Sequence, residues 1–405
     1  MTAIRWLHLS DLHLGMMGHR HLWPQLQELF FDDLRRLYEL CGPWDLVLFS
    51  GDLTQSGQAE EFRQLDVLLG EIWDCFAKLG CNPHLFVVPG NHDLTWPDQK
   101  DPAVKQLTRF HEDREVRESL FDKQPAHYHD VVNKAFANYQ SWRQTCSVPL
   151  LTGRDGILPG DCAATFEREG LRLGLLGLNS AFLQMTRDDY LGRLALDVRQ
   201  FHGACDGNGP RWAKAHHLCL LLTHHPPTWL HQMSRDALAS EIASPGRFAI
   251  HLCGHMHHGF TRSLKISGSA PNRLWQANSL FGLEAFGTSG EARSHGYSAG
   301  QIEATPDGAH LRIWPRLARR NSAKIWGVVP DYAEFELEKD QGTEPDLAKY
   351  LAAPLEVAFQ GTTPPPQGGA KPRPRLPRRP ILLGPDAVTQ RAHEGELSDK
   401  LDGKP

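Results

Sequence analysis

Leu85-Phe86-Val87-Val88-Pro89-Gly90-Asn91-His92-Asp93 decides how the rest of the chain is read. A short apolar run of strand length is cut off by Pro-Gly, and three side chains able to bind a metal or move a proton follow at once. The same arrangement recurs along the chain. Ile4–Leu9 leads into Asp11-Leu12-His13, and Leu46–Ser50 leads into Gly51-Asp52. Leu218–Leu222 precedes His224-His225-Pro226, and Phe248–Leu252 precedes Gly254-His255-Met256-His257. Strand ends that project polar side chains into one crevice are the usual place for a site in an α/β protein.

Between the first of these strands the period changes to helical. Leu22, Leu26, Leu29, Phe30, Leu34, Leu37 and Cys41 recur three and four apart until Gly42-Pro43. Phe62, Leu65, Leu68, Leu69, Ile72, Phe76 and Leu79 repeat the pattern up to Gly80. Strand-helix-strand alternation predicts two right-handed βαβ units, an α/β sheet covered by helices. Beyond Trp96 the pattern shifts to helices marked by Val104, Leu107 and Phe110, then by Val131, Val132, Ala135, Phe136, Tyr139 and Trp142. A helical insertion over about 96–161 is expected, either a cap overhanging the site or a layer packed on the sheet. Strands return at Leu171–Leu178. The β-like runs Ser263–Ile266, Arg273–Ala277, Tyr297–Ile302 and His310–Trp314 predict a second sheet packed on the first. The expected divisions are a main domain over 1–320, an extension over 321–360 and a tail over 361–405. From Thr362 to Pro380 the chain has seven prolines, five Lys or Arg and no acid. That composition predicts an extended, disordered Pro/Arg-rich tail, a solvated linker or a tether to another protein.

The chain has 405 residues, 40% hydrophobic and 22% charged, with a formal charge of −5. These are ordinary values for a globular protein, and they lack the basic excess of a typical nucleic-acid binder. Nucleic acid is therefore a possible but not a favoured partner. The N-terminus enters a strand with no leader pattern, and no apolar run nears the ~20 residues of a membrane helix. The eight cysteines never form a CxxC pair. The expectation is a cytoplasmic protein with no membrane partner, no disulfide frame and no Cys-based zinc site.

Aspartate, histidine and asparagine are oxygen and imidazole donors suited to Mn, Fe or Zn. If the segments after the strands stay extended, Asp11 and His13 share one side, as do His255 and His257. Glycines 51, 90 and 254 permit the sharp exit from each strand. An isolated histidine is more often a satisfied core residue, the reading applied to His8, His251, His258 and His295. His225 stays open between contact with phosphate and a structural role.

Taken in order, DxH, GD, GNHD, a histidine one residue before proline, and GHxH resemble the calcineurin-like metallophosphoesterases over roughly Ile4 to Trp314. The His224-His225-Pro226-Pro227 spelling is most similar to the bacterial class III cyclic-nucleotide and glycerophosphodiester phosphodiesterases. The opening Leu7-His8-Leu9-Ser10-Asp11-Leu12-His13-Leu14-Gly15 is similar to DNA nucleases of the SbcD kind. The resemblance implies an αββα sandwich of two mixed sheets flanked by helices. It also implies two divalent or trivalent metal ions, one held by Asp11, His13, Asp52 and His257, the other by Asp52, Asn91, His224 and His255. A hydroxide bridging the two ions would attack a small phosphodiester. His92 would serve the leaving oxygen and Asp93 would orient His92. Gly192, Asn179 and Ser180 resemble positions lining the cleft, although turn formation explains them equally. The alternatives in the same family are a nuclease and a protein or monoester phosphatase.

Overall fold

The computed structural model describes residues 2–16, 19–121, 127–186, 188–257, 259–265, 269–281, 295–323 and 325–352. The expected tail lies outside them. Strand β1 (Ala3–Leu9) is buried along nearly its whole length, as expected for a strand covered on both faces. It is followed by α1 (His19–Cys41), β2 (Leu46–Phe49), α2 (Ala59–Lys78) and β3 (His84–Val87). Helix α2 opens with a capping box in which the Glu61 carboxylate accepts from the Gln58 N–H. The next stretch forms α3 (Pro102–Leu107), α4 (Arg114–Phe121), α5 (His127–Ala135) and α6 (Ala137–Thr145). Then come β4 (Gly153–Asp155), β5 (Cys162–Arg168), β6 (Leu171–Gly177), α7 (Val198–Ala204), α8 (Gly209–Lys214) and β7 (Leu218–Leu222). The chain continues with α9 (Gln232–Ala237), β8 (Ile250–Cys253), β9 (Phe260–Leu264) and β10 (Asn272–Gln276). It closes with β11 (Gly296–Thr305), β12 (Gly308–Arg320), β13 (Trp326–Pro330) and β14 (Asp346–Ala348).

The strands form two seven-stranded sheets, one ordered β13-β12-β11-β1-β2-β3 with β14 also on β12, the other β4-β5-β6-β7-β8-β10-β9. β1, β2 and β3 run parallel, as the strand-helix alternation predicts. Alternate residues of each strand serve different layers. Ile4, Trp6, Leu46, Leu48 and Phe86 meet Leu173, Leu175, Leu218 and Leu220 between the sheets. Leu7, Leu9, Val47, Phe49 and Leu85 face α1 and α2 on the outside, and a third core covers the outer face of the second sheet. The result is two mixed sheets flanked by helices.

The later β-like runs do not all join the second sheet. β9 and β10 do, but β11 and β12 complete the first, with β11 antiparallel to β1 from Ala3↔Glu303 to His8↔Ser298. Residues 321–352 also extend the first sheet, since β13 and β14 both pair with β12.

Helices α3 to α5 share a core with Phe182, Leu183, Met185, Tyr190 and Leu194. Helix α6 instead packs on α2, with Trp142 stacked on Phe62 at 5.6 Å. The insertion meets the rest of the molecule at the 181–196 segment, at His231, and at the loop of Gly57, whose carbonyl accepts from Thr95 and Asn138.

Candidate metal centre

The polar segments leave the C-terminal ends of β1, β2, β3, β7 and β8, and the parallel pairing within each sheet brings those ends to one edge. Backbone bonds lock the first two segments together. Asp11 N–H donates to Gly51 O at 3.0 Å, and the Leu12 and His13 N–H groups both donate to Asp52 O at 2.8 and 3.0 Å. The segments are not extended. Asp11, His13, Asp52, His255 and His257 hold φ of 55°, 48°, 53°, 71° and 58°, a left-handed region that side-chain-bearing residues rarely occupy. The two-residue spacing brings Asp11 and His13 together, 3.9 Å apart, through left-handed turns and not the pleat of a strand, whereas His255 and His257 join different groups. Gly51, at φ 96°, supplies the turn before Asp52. At Gly254 the need is space, because a Cβ there would lie 1.9 Å from Ser10 Oγ and 2.6 Å from Asp11 Oδ2.

The side chains converge in two groups. In the first, His257 Nε2 lies 3.1 Å from Asp11 Oδ1 and 3.3 Å from His13 Nε2. In the second, His224 Nε2 lies 3.2 Å from Asp52 Oδ2, 3.0 Å from Asn91 Oδ1 and 3.1 Å from His255 Nδ1. Asp52 Oδ2 is also 3.8 Å from His13 Nε2, which places this carboxylate between the groups. All seven residues predicted as ligands are therefore brought together.

The donors fit metal ions on their own chemistry. His224 Nδ1 is 2.8 Å from Ser50 O, a pure acceptor, so that nitrogen carries the hydrogen. In the neutral ring Nε2 then presents a lone pair to a carboxylate, an amide oxygen and another imidazole nitrogen. Oxygen and nitrogen acceptors brought this close call for a proton or a metal cation among them. Donors sharing an ion at about 2.0–2.2 Å sit roughly 3 Å apart, the spacing seen here. The electrostatics carry the same message. Burial disfavours the His224 imidazolium, yet the charges of Asp52 and Asp11 outweigh it and lift the group to about 9. Asp11 and Asp52 are also buried, and the neighbouring imidazoles nevertheless hold both below the ordinary carboxylate range. Overlapping clusters bring His92 beside His13 and Asp52, and His225 beside His224 and His255.

His92 stands at the edge of the first group, its ring 4.7 Å from that of His13 and perpendicular to it. Its N–H donates to Asp52 Oδ1 at 2.8 Å, and its Nδ1 donates to Gln55 O at 2.8 Å, which leaves Nε2 as the ring nitrogen outside that bond. Asp93 does not orient this ring, contrary to expectation. Its Oδ1 accepts from Thr54 N–H and Oγ1 at 2.9 and 3.1 Å and its Oδ2 from Gly90 N–H at 2.8 Å, so both oxygens are spent on joining two loops. Burial first, and the Asp52 charge second, push Asp93 up to about 6. Sequence reasoning missed Gln55 because a backbone carbonyl has no residue signature.

His225 is structural. Ser180 Oγ accepts from its N–H and lies 3.0 Å from its Nδ1, while its Nε2 is 3.0 Å from Gln184 Oε1. Burial holds the ring well below its ordinary range. His8 and His251 sit under the strands against Ser50 Oγ and Thr223 Oγ1. Asn179 is likewise tied up, donating to Pro159 O and accepting from Ala181 N–H. Trp229 went unnoticed in the sequence. Its ring stands perpendicular to His255 at 4.0 Å and walls one side of the second group.

A family model for calcineurin-like phosphoesterases matches residues 4–259. No curated protein matches. Among solved structures the chain is similar to Haemophilus influenzae NAD nucleotidase, with 13% identity, a TM-score of 0.40, and 81% of this chain and 54% of that one covered. It is similar to a dimetal phosphatase from Danio rerio, with 13% identity, a TM-score of 0.37, and 81% and 98% covered. It is also similar to the purple acid phosphatase PPD1 of yellow lupin, with 11% identity, a TM-score of 0.42, and 82% and 54% covered. The chain thus spans about half the length of two of these proteins.

Proposed function

The chain belongs to the calcineurin-like phosphoesterases, and from that premise we propose that it is a phosphodiesterase for a small nucleotide or glycerophosphodiester. The observation that supports this most is the pair of donor groups sharing Asp52. Asp11, His13, Asp52 and His257 would hold one ion, and Asp52, Asn91, His224 and His255 the other, with Mn, Fe or Zn suited to the donors. When bound, the ions acidify water and offset charge on the phosphoryl oxygens. The protein's own part is to fix that arrangement and to handle the proton. Ser50 O fixes the His224 tautomer so that Nε2 is the donor nitrogen. Gln55 O fixes the His92 ring with Nε2 outward, where it can protonate a leaving alkoxide. Trp229 and His225 exclude water from one flank of His255.

A diester carries one negative charge, so two metal ions held by Asp11, Asp52, Asn91 and the imidazoles would suffice for it. The overall charge of −5 argues against a polyanionic substrate. The eight free cysteines support a reducing compartment, the cytoplasm. Among the described residues no helix is long and apolar enough to cross a membrane.

The test is hydrolysis of bis-p-nitrophenyl phosphate with added Mn, followed by a panel of cyclic AMP, glycerophosphodiesters, p-nitrophenyl phosphate and DNA. Small diesters should be the preferred substrates and chelation should abolish turnover. Preference for the monoester would move the chain to the phosphatases.

A further inference from the structure

Beside the metal centre the outer face of the second sheet carries a slot of about 250 Å³. It is lined by Leu274 of β10, by Leu238 and Ala239, and by Phe260 and Leu264 of β9. β9 is the edge strand of its sheet, and Phe260 and Leu264 are 44% and 42% exposed. Leu238 and Ala239 belong to a single π-helical turn, Leu238–Ile242, that continues α9. Such turns are rare and often mark functional sites. The polar side chains there include Arg235 and Arg262, whose stems can lie along apolar matter while their heads stay in water.

The slot adjoins the metal centre from two directions. Pro227, at its mouth, follows His224 by three residues, and Phe260 follows His257 by three. Three residues span at most about 10 Å, so two different ligands place the mouth close to the ions. Strand register gives the slot a direction. Phe260 pairs with Gln276, which pairs with Cys253 just before the Gly254-His255 turn, whereas Leu264 pairs with Asn272 at the far end. The slot therefore starts at the catalytic edge and runs away from it along the sheet. At about 250 Å³ it is too small for a helix and large enough for one alkyl chain.

We propose that this slot holds the acyl chain of an amphiphilic phosphodiester whose phosphate sits at the metal centre. The inference rests on the phosphodiesterase reading for the placement of that phosphate, and it narrows the substrate to an acylated glycerophosphodiester.

The experiment compares bis-p-nitrophenyl phosphate, glycerophosphocholine and a chain-length series of lysophosphatidylcholines, all as monomers in solution. kcat/KM should rise roughly two- to fourfold for each added methylene until the slot is full, the worth of ~0.8 kcal/mol per buried CH₂ at a tenfold per 1.4 kcal/mol. Phe260→Glu should cut kcat/KM at least ~10-fold for every acylated substrate and leave bis-p-nitrophenyl phosphate untouched. Leu264→Glu should affect long chains only. Both side chains are half-exposed, so folding is not at stake. Calorimetric binding of decylphosphocholine, with or without metal, gives a second readout. If bis-p-nitrophenyl phosphate is not cleaved but decylphosphocholine binds and Phe260→Glu abolishes that binding, the slot stands and the phosphodiesterase reading falls. Rates independent of chain length, together with decylphosphocholine binding unchanged by Phe260→Glu, overturn the inference.

Discussion

Asp52 faces both donor groups, 3.2 Å from His224 and 3.8 Å from His13, while its other oxygen accepts the His92 N–H. Asp52→Asn keeps the shape and removes the charge common to two cations. Turnover should fall by several orders of magnitude and metal content, measured by elemental analysis, should drop with it. Activity that survives both this change and chelation would sink the two-metal reading. His92 is a different kind of residue, since its Nδ1 is held by a carbonyl and its Nε2 is left for the reaction. His92→Ala should keep its metals and lose ~10²–10⁴ in turnover, the usual worth of a positioned acid. The loss should shrink for p-nitrophenol, which leaves without protonation. Loss of metal in that variant would make His92 a ligand after all. The glycine before His255 is fixed by space. Gly254→Ala would drive a methyl into Ser10 Oγ and Asp11 Oδ2, so metal affinity should fall with stability, as seen in a lower Tm and a chelator titration. The residues that converge at the site were legible because the signal lies in residue types. Their left-handed backbone and the Gln55 and Ser50 carbonyl contacts were not, because those depend on which loops meet.

The insertion shows what elements add to this. His111, between α3 and α4, stacks on His231 at 4.0 Å with rings 20° apart, and its Nε2 donates to Arg193 O. This contact joins the inserted helices to the segment that follows the His224-His225-Pro226 turn. Burial, and then the facing His231, lower His111 to about 4. A histidine whose folded value lies below its unfolded 6.5 binds fewer protons folded than unfolded between those limits. Its contribution to stability is therefore present above about pH 6.5 and lost as pH falls towards 4. Hydrogen exchange in α3 to α5 should speed up across that window, and His111→Phe, which keeps a stacked ring, should flatten the response. The ring is partly exposed, so solvent reduces the size of the effect. An unchanged exchange profile in the variant would show that other groups govern the window. Helix and strand positions here were legible from periodicity. The partners of the later strands were not, since β11 reaches β1 across nearly the whole chain and no local pattern encodes so distant a pairing.

At the scale of the molecule, composition and topology point to different boundaries. The sequence reading ends the main domain at 320, but β13 and β14 are strands of the first sheet, and local composition does not reveal pairing. The segment is bonded across a wide area. Phe335 stacks on Trp275 at 4.8 Å, Arg312 forms a two-pronged pair with Asp340, and Arg273 of the second sheet pairs with Asp346. The compact unit runs to Ala358, with Phe359–Pro405 separate. Two truncations therefore have opposite outcomes. A chain ending at Ala358 should keep its Tm and its turnover of small diesters. One ending at Arg320 strips two strands from β12, leaves Arg273 and Arg312 without their carboxylates, and uncovers Trp275. That should cost several kcal/mol, from unpaired buried charge and lost apolar burial together, and yield insoluble or partly unfolded protein. The first truncation also decides whether DNA belongs among the substrates. The densest basic run, Lys371–Arg379, lies within the part removed, and the remaining chain has few spare cations with which to hold a polyanion. DNA binding by the full chain that disappears on cutting at Ala358 would assign it to the tail. Salt-sensitive DNA cleavage that persists without the tail, with no turnover of small diesters, would instead make the metal centre that of a nuclease.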